Sequence, residues 1–149
     1  MSNGSQLGPL HPTKTRRHRY EYRFYTKHHL AGNSPHAQWH PDLTHDEEFA
    51  VFDLADLHDL ANQKGNLFGL HIGPSQKPLE LGTRGKFVAE FPVAAAGRAW
   101  HGYPVYPVTN RGQMRERKTR APIEALEKMK QAGLLTRAQA SRLKKGKAP

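Results

Sequence analysis

The sequence predicts an α+β fold: a small, mostly antiparallel sheet with one packed helix, followed by a basic linker and a C-terminal helical hairpin. Three observations carry this. Aromatic and charged residues alternate across residues 19–27, the period-2 pattern of a half-buried strand. Short apolar runs broken by Gly and Pro recur from residue 48 to residue 108, as expected of short strands joined by turns. From Pro122 onward the apolar positions switch to helical spacing. A chain of 149 residues has room for one modest core plus an appendage.

Residues 1–15 mix Ser, Asn, Gly, Gln and Pro without periodicity and read as a disordered arm, leaving 16–108 for the α+β domain. In its first strand Tyr20, Tyr22 and Phe24 fall on one side, and Arg19, Glu21, Arg23, Tyr25 and Lys27 on the other. Residues 31–46 form a Pro- and Gly-containing loop. Residues 48–52 favour a short strand. Asp53 then caps a helix stopped by Gly65, with Leu54, Leu57, Leu60 and Ala61 inward and Asp56, His58 and Asp59 outward. The alternative is a capping box from Thr44 to Glu47, which merges both pieces into one longer helix.

Asn66–Ile72 predicts a further strand. Residues 78–81 and 85–91 predict a strand pair or one long bulged strand, with Gly82 and Gly85 marking the bend. Residues 99–108 contain Pro104 and Pro107 and make an edge strand at best. Residues 109–120 carry a net charge of +4 without apolar periodicity, a basic linker. The hairpin spans 121–146. Pro122 opens its first helix, with Ile123, Leu126, Met129 and Lys130 in helical phase and Gly133 as the stop. Thr136 caps the second helix, ended by Gly146, and 147–149 form a tail. Helices this short need a surface to dock on.

The charge is uneven along the chain. Residues 1–30 carry +5, residues 31–82 carry −6, and residues 83–149 carry +11, which together make the net +10. That distribution predicts a polyanion partner, nucleic acid above all, either RNA or non-specific DNA, with the acidic helix face held away from the phosphates. Arg16, Arg17, Arg19, Arg23 and Lys27 form one basic run. Arg111, Arg115, Arg117, Lys118 and Arg120 form a second, and Arg142, Lys144 and Lys145 lie on the last helix. Lys/Arg contacts to phosphate need no fixed spacing. Trp100 and Tyr103, interleaved with prolines, offer rings for base stacking or for closing the core.

Two other function classes are weighed. A small toxin-like ribonuclease needs a base, an acid and cations, and His71, Arg84, Lys86, Glu90 and His101 lie on or beside predicted strands where they can share a sheet face. A protein-interaction module docks on a partner or a second copy through 121–146. Ten histidines, five of them within 28–45, raise a metal reading with His36, His40 and His45 as candidate ligands. Proline on both sides of His36 and His40 favours a His-rich loop, so no metal and no cofactor is expected. Zero cysteine excludes disulfides and thiol catalysis. No apolar run reaches the ~18–20 residues of a membrane span. The first residues lack a secretory core, so the cytoplasm is the expected compartment.

Overall fold

A computed structural model describes residues 13–24, 38–82, 86–105 and 120–149. It is α+β: among the described residues there are three helices and small, antiparallel sheets. Strand β1 (Thr13–Lys14) pairs with β2 (Glu21–Tyr22), so the end of the predicted disordered arm is ordered. The turn between them closes through Thr15 N–H to the Tyr20 carbonyl at 3.0 Å, with His18 at φ 58°. Tyr20, Tyr22 and Phe24 turn inward as their alternation predicts.

Helix α1 (His45–Leu57) begins at the capping box, not at Asp53. The Thr44 hydroxyl accepts from Glu47 N–H at 3.1 Å, and the Glu47 carboxylate accepts from Thr44 N–H at 2.8 Å. The expected strand at 48–52 is therefore helical. A short apolar run does not by itself distinguish a buried strand from a buried helical turn, and the paired donors at the helix start decide it here. The earlier start also rotates the buried face. Glu48, Val51, Phe52, Ala55 and Asp56 are buried, while Leu57, expected inside, is 37% exposed.

Strands β3 (Leu67–Gly69), β6 (Val88–Phe91) and β7 (Tyr103–Val105) form one sheet in the order β3-β6-β7. Strands β4 (His71–Ile72) and β5 (Pro78–Leu79) form a separate ribbon. Central β6 registers Phe91 on Leu67 and Glu90 on Tyr103, and all four of its residues are buried. Helix α1 covers β3 so closely that a Cβ on Gly69 would lie 2.6 Å from the Val51 carbonyl oxygen. A larger residue at 69 would lift the helix off the sheet.

Between them lies an aromatic core. Tyr22 packs on Phe52 at 4.9 Å between ring centroids, Phe52 on Phe91 at 5.1 Å, and Tyr20 on Trp100 at 4.7 Å. The Trp100 N–H donates to the Glu21 carbonyl at 2.6 Å and Arg23 N–H to the Trp100 carbonyl at 2.8 Å, lashing the N-terminal segment to the chain before β7.

The hairpin consists of α2 (Arg120–Gln131) and α3 (Arg137–Lys144), turned by Gly133 at φ 80°. Thr136 and Gln139 form a second capping box, and Gly146 (φ 74°) follows the end. Ala125, Leu126, Met129, Leu135, Ala140 and Leu143 are buried. The Lys128 ammonium donates to the Ala61 carbonyl at 2.5 Å, a direct tie to the body. No helix among the described residues is long and apolar enough to cross a membrane.

Candidate functional site

Three of the basic residues expected to meet phosphate are placed against α1. Arg16 donates through its backbone N–H to Asp53 at 2.8 Å and through Nε at 2.5 Å. Arg17 Nη1 donates to the Asp56 carbonyl at 2.8 Å and lies 3.2 Å from the Asp59 carboxylate. Arg19 reaches Asp56 at 3.1 Å and Asp59 at 3.3 Å. Helix α1 has no basic residue in its last turn. Its C-terminal carbonyls and aspartates therefore draw their counter-charge from the turn after β1, as the helix dipole favours. The acidic face is thus not held apart from the N-terminal arginines but neutralised by them. Acidic residues three apart at 53, 56 and 59 were the sequence signal for an acidic surface here, although Asp59 lies just past the end of α1. Arg23 is exposed, and Lys27 lies outside the described residues.

Trp100 is only 5% exposed and packs on Tyr20 and Phe52, so it closes the core and offers no stacking face. Tyr103 is half-buried on β7.

The residues expected to share one catalytic sheet face are spread over separate elements. Glu90 lies on buried β6, 3.4 Å from the Asn66 amide, whereas His71 lies on the other ribbon. Lys86 uses its carbonyl to accept from Leu81 N–H at 2.8 Å, His101 precedes β7, and Arg84 lies outside the described residues. What the fold does bring together is His71 and His40. They line an open cleft of about 190 Å³ with Asp42, Leu43, Glu47, Leu79 and Glu80. His71 Nε2 is 3.6 Å from Glu47. The Thr44 backbone N–H, opposed by partial burial and helped by the Thr44 hydroxyl and His71, holds the Glu47 carboxyl below the usual carboxylate range. Glu47 is therefore an ionised partner for His71 rather than a proton donor. Among the described residues three carboxylates line this cleft and neither Lys nor Arg does, an arrangement that repels a phosphodiester.

Of the metal candidates, His40 lies in that cleft, His45 packs on Phe24 at 4.6 Å, and His36 lies outside the described residues. Among the described residues no group of three His, Asp or Glu side chains is arranged to hold a metal.

The C-terminal third differs. Residues 13–105 carry eleven basic and ten acidic residues, a net of +1, whereas residues 106–149 carry twelve and three, a net of +9. Glu127 is clasped by Lys144 and, at 3.1 Å, by Lys130. Hydrogen bonds from Lys144 and then Lys130 pull its carboxyl below the usual range. Arg137, Arg142, Lys145 and Lys147 are exposed and form no ion pair among the described residues. Arg111, Arg115, Arg117 and Lys118 lie outside the described residues, and Arg120 opens α2. Comparisons with protein-family models, curated proteins and solved structures find no match for this chain.

Proposed function

We propose that the chain binds nucleic acid, in the cytoplasm, through its C-terminal third. The observation that carries the reading is the segregation of charge. Nearly all of the net +10 belongs to residues 106–149, and Arg137, Arg142 and Lys145 of the hairpin and Lys147 of the tail are exposed with no carboxylate partner among the described residues. The N-terminal run, with Arg16, Arg17 and Arg19 engaged by α1, serves stability instead. Lys/Arg side chains that are not neutralised internally release counterions from a polyanion on binding, which supplies the affinity.

An anisotropy titration with a labelled 20-base-pair duplex tests this. Four phosphate contacts give a log–log salt slope near −3.6 and about a 150-fold loss of affinity between about 50 and 200 mM salt. Replacing Arg142, Lys145 and Lys147 together by alanine should flatten that slope by about 2.7. Arg16→Ala should leave it unchanged. Absent or salt-insensitive binding, or a slope untouched by the triple substitution, overturns the reading.

A further inference from the structure

We infer that the preferred ligand of this cationic surface is a double-stranded nucleic acid rather than a single strand, an inference that rests on the binding reading above. Helix α3 fixes its cations before any ligand arrives. At 1.5 Å rise per residue, Arg137 and Arg142 on the helix and Lys145 at its C-cap are spread over about 12 Å. The two capping-box bonds at Thr136 and the clasp of Lys144 on Glu127 hold that helix in place.

A preset spacing of charges, spread over one broad side of the helix, is matched best by a stiff polyanion of high charge density. A duplex offers one phosphate per about 1.7 Å of axis, against about 3.4 Å along one strand. A single strand must also be ordered to meet it.

Binders of single strands offset that cost by stacking bases on aromatic rings. Residues 106–149 contain one aromatic ring, Tyr106 at their first position, and no Phe, Trp or His. In the body, among the described residues, Trp39 and Trp100 are 3% and 5% exposed and Tyr22, Phe52, Phe68 and Phe91 have no exposed surface, while Tyr20, Phe49, Phe87 and Tyr103 are partly buried against the core. Gln139, whose amide is the kind of group that reads base edges, is committed to capping α3. Among the described residues, the exposed groups of α3 are mainly cations on long stems, which engage phosphates without needing a stacked base.

The test uses the full chain and four labelled probes of one mixed sequence: the DNA duplex, the RNA duplex, and a non-self-pairing single strand of each. At about 100 mM salt, at least one duplex should bind about tenfold or more tighter than its own single strand, with the steeper salt slope. The DNA and RNA arms identify which helix supplies the phosphates. Single strands that bind as tightly as both duplexes overturn this inference and leave the binding reading standing. Failure to bind any of the four probes overturns both.

Discussion

Replacing Arg19 with alanine removes the cation that lies 3.1 Å from Asp56, a carboxylate whose side chain has no exposed surface. Breaking a fully buried pair by deleting one partner costs about 3–5 kcal/mol, because the other charge stays desolvated. Arg19, however, is 36% exposed, so water reaches one end of the pair, and exposed pairs are worth about 0–1 kcal/mol. The expected cost lies between these limits, about 2 kcal/mol. For a chain of this size that lowers Tm by about 4–8 °C. Both tryptophans are buried, so their emission during urea unfolding reports the midpoint, and an unchanged m-value allows the shift to be read as stability. Asp59→Asn is the comparison. Asp59 also touches Arg19 but is 62% exposed, and its loss should cost under about 0.5 kcal/mol. Adding Asp56→Asn to the Arg19→Ala chain should restore part of the loss by removing the stranded charge. If Arg19→Ala costs no more than Asp59→Asn, or Asp56→Asn makes it worse, the arginine turn is not the counter-charge of α1.

The remaining predictions concern the core and the caps. Tyr22 is buried and donates to Glu48 at 2.5 Å; burial first, then the charge and hydrogen bond of Glu48, raise its pKa well above the usual tyrosine value. The unfolded chain therefore releases this proton at lower pH than the folded one, so stability is full below about pH 10 and falls above it. Urea midpoints measured from about pH 8 to 11 should show that fall, and Tyr22→Phe should flatten it. Glu47 has the opposite sign: its lowered pKa contributes stability above the usual carboxylate range that is lost as pH falls through the folded value. Thr44→Ala should cost about 1 kcal/mol at neutral pH and shrink that acid loss in the same titration. Gly102→Ala would drive a methyl into the Phe91 ring and should cost about 1–3 kcal/mol by chemical denaturation.

The C-terminal hairpin was the most legible part of the chain, because everything that shapes it is local. Pro122, Gly133, Thr136 and Gly146 mark its ends within a few residues of where they act. The inward set Tyr20, Tyr22 and Phe24 was legible for the same reason. Helix α1 was not. Asp53 satisfies the local rule for a cap, but its carboxylate is held by Arg16, 37 positions away. Nothing local announces that Asp56 is buried, since only its distant arginine partner makes that tolerable. The cleft was illegible in the same way, because His40 and His71 meet only after the β4–β5 ribbon has folded beside α1. Charge by blocks misled in one respect: it separates residues 1–30 from 31–82, whereas the fold presses their opposite charges together.

The bonds between Glu21 or Arg23 and Trp100 have a kinetic consequence. They join residues nearly eighty positions apart, and loop-closure entropy must be met before such contacts contribute stability. During synthesis the N-terminal segment can therefore not reach its final place until residue 100 has left the ribosome. Until then Tyr22, the ring at the centre of the core, lacks the backbone that anchors it. The earlier-made of the two segments is thus secured only when the later one emerges, and its aromatic surface stays open to other partners until then.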